Sequence, residues 1–172
     1  MDEQELFELS DKAHKRVERT IGLTMAIIAA CLAMVTLMGH RLHTEETVAQ
    51  TKAADGWAYY QAKNSRYHLY ATDAQLAQLI GGKGEQLAEN WTKKAEEEQH
   101  DADEIRKENE HRDQETAAIA RRAAFFDIAE ICLEVAIVLC SVSLLTGTLT
   151  FWKASFFGAA AGLVVAGLGL LR

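Results

Sequence analysis

The chain divides sharply into long apolar runs and highly charged stretches instead of mixing the two. Residues 21–38 are apolar, residues 123–145 are apolar apart from Asp127, Glu130 and Glu134, and residues 151–171 are apolar apart from Lys153. A bilayer core of ~30 Å needs about 20 helical residues, so each run is long enough to span. The pattern predicts an all-α protein with three transmembrane helices over 21–38, 123–145 and 151–171, preceded by a polar segment over 1–20. A signal peptide or lipoprotein reading of the first run, suggested by "IAAC" at 28–31, fails. Apolar sequence continues past Cys31 through "LAMVTLM", and no small-residue cleavage site follows at "GHRLH".

Between the first two spans, residues 39–122 are rich in Ala, Gln, Glu and Lys, and one glycine cluster, "GGKG" at 81–84, divides them. This predicts a helical hairpin turning at 81–84, with arms that reach ~60 Å at 1.5 Å per residue. Proline is absent, where ordinary usage of about 5% would supply roughly eight or nine. Nothing therefore marks a sharp break, and each arm is expected to continue into its span, with Gly39 and Gly56 isolated and tolerable. The first two helices would then extend from the bilayer as a protruding hairpin.

A coiled-coil seam on the second arm would run through Glu98, Ala102, Ile105, Asn109, Arg112, Thr116, Ile119, Ala123, Phe126 and Glu130, at alternating spacings of four and three. As a hydrophobic seam it is poor. Residues 96–115 carry ten acids, so this helix is expected to be solvated nearly all round, with pairs such as Asp103–Lys107 and Glu108–Arg112 steadying it. A calcium site is disfavoured, because calcium loops space their ligands around a Gly turn that is missing here. The first arm offers small Ala49, Ala53, Ala58 and Ala62 beside an aromatic set, Trp57, Tyr60, Tyr67 and Tyr70. Aromatics at helical spacing are read as packing residues, against the other arm or a neighbouring subunit.

The formal charge of −7 argues against a nucleic-acid surface, because the Lys and Arg are interspersed with more numerous acids. Cys31, Cys132 and Cys140 lie inside apolar runs and are read as small packing residues, so they reveal no redox compartment. No nucleophile sits with a base and no phosphate loop is present, so the reading is non-enzymatic, with no cofactor and no resident metal. Lys12, Lys15, Arg16 and Arg19 before the first span, with Lys153 beside the last turn, favour a cytoplasmic N-terminus; Arg41, Arg121, Arg122 and Arg172 oppose them.

The stretch "HRLHTEETVAQTKAADGWAYYQAKNSRYHLY" at 40–70, together with "FDIAEICLEVAIVLCSVSLLT" at 126–146, resembles the family catalogued as domain of unknown function 4337. His43-Thr44-Glu45 and the run from Trp57 to Lys63 carry the likeness most specifically. The resemblance implies a bacterial, inner-membrane helical protein and supplies no catalytic residue.

The chemistry concentrates in the acids of the second span. Helical rise places Asp127 about 6 Å in from Ala123, Glu130 about 10 Å and Glu134 about 16 Å. Offsets of three, four and seven put 127, 130, 134 and Ser141 on one stripe. A hairpin closing symmetrically about 82 and 83 makes facing residues sum to about 165, which sets Arg41 near Ala124 and Phe125 and leaves Glu134 opposite Cys31. Four readings follow. Arg41, Arg121 or Arg122 neutralises the outer acids while Glu134 is protonated or hydrogen-bonded; the acids form rings around an oligomer axis and attract cations; His40 and His43 join Asp127 and Glu130 as a metal site; or the acids relay protons. On the third span Ala154, Gly158, Gly162 and Ala166 recur every four residues as a small-residue ridge, suited to packing within the subunit or between subunits. Gly22, Ala26 and Ala30 form a similar ridge on the first. The expected partners are the lipid bilayer, further copies of the chain and other membrane proteins. The expected function is an oligomeric scaffold working through its hairpin, or alternatively a cation-conducting oligomer lined by the second span.

Overall fold

The computed structural model describes residues 3–171, and side chains from Lys15 onward except at position 83. Lys12 and Arg172, which enter the orientation argument, lie outside these described side chains. The chain forms three helices, α1 (Glu3–Ile80), α2 (Lys83–Thr146) and α3 (Leu149–Leu171), and the described residues contain no strand. The two long helices pack as a hairpin, and all three are long and apolar enough to cross a membrane. Most of the polar segment expected over 1–20 is already helical, since α1 begins at Glu3. Neither Gly39 nor Gly56 interrupts it.

Residues 1–44 and 120–172 form one compact unit, and residues 45–119 form another. In the first, Ile21, Ile28 and Val35 on α1 recur every seven residues and meet Phe126, Ala129, Leu133, Ala136 and Cys140 on α2. Spacings of three and four keep one face of α2 turned inward along this stretch. Gly39 is buried in the same seam, and a Cβ there would lie 3.6 Å from that of Phe126, an ordinary packing distance. The turn into α3 uses Gly147 at φ 66°, and Ser143 Oγ donates to the Thr148 carbonyl at 2.9 Å.

The hairpin unit is closed mainly by alanine. Ala53, Ala74 and Ala77 on α1 and Ala88, Ala95 and Ala102 on α2 are all buried. The poor seam of the second arm is the buried one: Ala102 and Asn109 are buried, while Glu98, Ile105, Arg112, Thr116 and Ile119 are half-buried. Small residues bring the backbones together, and Glu98 on the seam, with Asp101 and Asp113 beside it, meets partners across the gap, whereas Arg112 and Thr116 bond within α2. Lys63 Nζ lies 2.8 Å from Asp101 Oδ2 and 3.0 Å from Glu98 Oε2. Trp57 Nε1 donates to Asp113 Oδ2 at 3.1 Å, and Tyr70 stacks on Trp91 with ring centroids 5.2 Å apart. The aromatic set of the first arm therefore meets the second arm, as one of the two packing readings expects. Along α2, Glu108 accepts from Arg112 at 2.7 Å, and Arg106 bonds Glu110.

At the turn, Gly81 and Gly82 adopt φ of 67° and 56°, where glycine carries no steric penalty. Midway along the unit, Asn109 is 1% exposed and lies against Gly56 so closely that a Cβ on Gly56 would overlap its Oδ1. A glycine-to-alanine change inside a helix ordinarily gains about 1 kcal/mol. Here the sign reverses: Gly56→Ala is expected to destabilise the purified chain by about 1–3 kcal/mol through overpacking. Adding Asn109→Ala should restore most of the loss, as read from thermal melting; a neutral Gly56→Ala would remove this account.

The hydrogen bond from Lys63 holds the Asp101 carboxyl below its usual range, and Asp101 followed by Glu98 raises the Lys63 ammonium above its own. Asp101's contribution is thus fully present above its unfolded value near 4 and is lost as pH falls through the folded value. Lys63's contribution is fully present below its unfolded value of about 10.4 and is lost only as pH rises through its higher folded value. Lys63→Met should therefore melt below the unmodified chain at pH 6, and the gap should close as the pH is lowered toward 2. A gap independent of pH would assign the loss to packing of the lysine stem.

Candidate functional site

The buried positions of α2 in the span-forming unit are 126, 129, 133, 136 and 140, which places the acids on the flank of that face. Each acid meets a different fate. Asp127 Oδ1 lies 2.9 Å from His43 Nε2, both side chains about half exposed. Glu130 Oε1 accepts a 2.9 Å hydrogen bond from Thr36 Oγ1. Ser141 donates to the Ile137 carbonyl at 3.1 Å and lies 3.6 Å from Met25 Sδ. Glu134 is exposed and makes no hydrogen bond or ion pair among the described residues. Its outward neighbours are Ile131, Val135 and Val138, each at least half exposed.

The expected arginine partners are replaced. Among the described residues no ion pair joins Arg41, Arg121 or Arg122 to Asp127, Glu130 or Glu134; Arg41 and Arg121 are exposed, and the half-buried Arg122 keeps an Nε with no hydrogen-bond partner. The reason is rotational. The register is close to that expected, with 36 facing 130 and 25 facing 141, but the α1 side chains that reach α2 are those beside the Ile28–Val35 face. His43 and Thr36 lie there, and Arg41 points away. The metal reading also loses its ligand set: the histidine and the two acids engage singly, His40 is exposed, and the described residues contain no group of three or more His, Cys, Asp or Glu able to hold a metal ion. In the sequence His43 stood beside Asp127 only as a candidate metal ligand, and Thr36 was recognisable only as a polar residue near the end of an apolar run.

The small-residue ridge of α3 packs against α2. A Cβ on Gly162 would sit 3.0 Å from the Ala129 carbonyl oxygen and 3.0 Å from Leu133 Cγ, and one on Gly158 would sit 3.4 Å from both Ala136 Cβ and the Cys132 carbonyl oxygen. The buried set is Ser155, Ala159, Gly162, Ala166 and Gly169, so Ala154 and Gly158 lie at its edge. A strict four-residue ridge drifts by about 40° at each step around a helix of 3.6 residues per turn, which explains the shift. Cys140 Sγ donates to Ser155 Oγ at 3.2 Å inside this contact, and Trp152 Nε1 donates to Thr24 Oγ1 at 3.4 Å on α1. By contrast, the first-span ridge of Gly22, Ala26 and Ala30 is not packed: both alanines are exposed and nothing lies near a Cβ built on Gly22.

These features define an all-helical hairpin protein with three helices long and apolar enough to cross a membrane. The chain belongs to the family described as domain of unknown function (DUF4337), whose model matches residues 17–172. No curated protein and no solved structure matches it.

Gly162→Leu should separate α3 from α2 and lower the melting temperature of the purified chain, since overpacking costs typically 1–3 kcal/mol. Gly167→Leu, with nothing within 4 Å of its Cβ position, serves as the control and should be nearly silent. Equal effects from the two would place the ridge in lipid.

Proposed function

We propose that this chain is a non-enzymatic, multi-pass protein of a bacterial inner membrane that assembles with itself and uses its hairpin as a scaffold arm. The observation that carries the scaffold reading is the apolar end of the hairpin. The arm's own seam is satisfied by alanine and by cross-helix polar pairs, yet Leu76, Leu79, Ile80 and Leu87 around the turn are 54%, 83%, 77% and 51% exposed. Clustered apolar exposure on an otherwise charged surface marks an interaction site.

A photo-cross-linking residue at Leu79 or Ile80 of the full chain in cells should give a discrete adduct that the same residue at Glu104 does not. Indiscriminate adducts at all three positions, or none at the turn, would sink the scaffold reading. The basic residues Lys12, Lys15, Arg16, Arg19 and Lys153 favour a cytoplasmic N-terminus against Arg41, Arg121, Arg122 and Arg172. A membrane-impermeant thiol probe then reaches Leu79→Cys in intact cells, and only after lysis in the opposite orientation.

One observation favours a second reading, a cation-conducting assembly lined by α2: Glu134 faces outward with no partner among the described residues. Cation flux through reconstituted vesicles that is lost in Glu134→Gln with assembly intact would establish it. Absence of flux from the unmodified protein would remove it.

A further inference from the structure

We infer that Glu134 is half of a homotypic site, completed when a second copy of the chain packs on the outward face of α2 and the two side chains hydrogen-bond to each other. The inference rests on the self-assembly reading above and names the contact that assembly uses. Three acids share one face of the span, and two of them are satisfied inside the chain, Asp127 by His43 and Glu130 by Thr36. Glu134 is the deepest of the three and the one left without a partner among the described residues. It emerges between Ile131 at 59%, Val135 at 50% and Val138 at 59% exposure, an apolar surface interrupted by a single ionisable group. Ionisable groups at such depth are kept off lipid by a partner or by water.

The chemistry of that partner follows from depth. Copies inserted in the same orientation carry Glu134 at the same level, and a two-fold axis along the membrane normal sets like residues against each other. Lys153, the only cation within the apolar runs, lies four residues after the start of α3, whereas Glu134 lies twelve residues before the end of α2. At helical rise the two are therefore about 12 Å apart in depth. A like-oriented copy thus offers Glu134 no cation. It does offer another carboxyl, and a protonated carboxyl is self-complementary, with one O–H to donate and a carbonyl oxygen to accept. The α1 surface at this level suits a close neighbour. The pairs Thr36–Glu130 and Met25–Ser141 set residue 32 level with Glu134, and Ala29, Ala30 and Ala33 beside it are exposed. Small exposed residues let the backbone of a second copy approach.

The test measures energy transfer between labelled copies of the full chain in phosphatidylcholine vesicles over a lipid-dilution series. Glu134→Gln, whose amide also donates and accepts, should keep the dissociation constant within about threefold of the unmodified chain. Glu134→Leu, which suits lipid, should raise it roughly tenfold, the scale of two interhelical hydrogen bonds. Because position 134 is exposed in the single chain, helix content and melting should be unchanged in both variants. Equal association of the Leu variant and the unmodified chain would overturn the homotypic site while leaving self-assembly standing. Equal loss in the Gln and Leu variants would show that an amide cannot replace the acid and would overturn the mutual carboxyl hydrogen bond. A monomeric unmodified chain at every dilution would overturn the self-assembly reading together with the inference.

Discussion

Short polar side chains on two helices can bond to one another only when the helix axes lie close, and in this chain glycine and alanine set that distance. Gly56 admits Asn109, and Gly162 brings α3 onto the Ala129 carbonyl. Where apolar side chains face lipid, the hydrophobic effect offers no reward for helix contact, so packing density and hydrogen bonds must supply it. The hairpin unit uses the same device in a charged setting, with six buried alanines along its seam. Close approach is thus the condition under which Thr36 reaches Glu130, and Lys63 reaches both Glu98 and Asp101.

The same constraint sorts the polar residues by role. A side chain on the seam or beside it is matched across the gap, as Asp127, Glu130 and Trp57 are. Asn109 is an instructive intermediate, fully buried against Gly56 with its Nδ2 lacking a hydrogen-bond partner. Buried asparagines of this kind fix register at a cost in stability in other paired helices. Glu134, on the outer flank of the α2 core face, escapes the matching altogether.

Much of the architecture was legible because it depends on composition over long windows. Runs of apolar residues of spanning length, the lack of proline and the single "GGKG" cluster each act locally on the backbone, and three helices with a glycine turn follow from them. The summed register near 165 was legible for the same reason, since the position of a turn between straight helices sets which levels face each other; Thr36 and Glu130 sum to 166. Rotation was not legible. Whether His43 or Arg41 turns toward α2 depends on about 100° of helical phase per residue, and residues 39–45 of α1 are too polar to carry an apolar signal that sets it.

The sequence by itself determined three apolar helices of spanning length, a glycine turn at 81–84, three acids on one stripe of the second span and small residues along the third. Only the tertiary structure decided that the stripe divides, with Asp127 and Glu130 answered from α1 and Glu134 turned outward, and that the α3 contact runs through Ser155, Ala159 and Gly162 instead of a strict four-residue ridge. The physical reason is that helix formation is a local property of the backbone, whereas the facing of a side chain is fixed jointly by two helices through the shape of the surface between them.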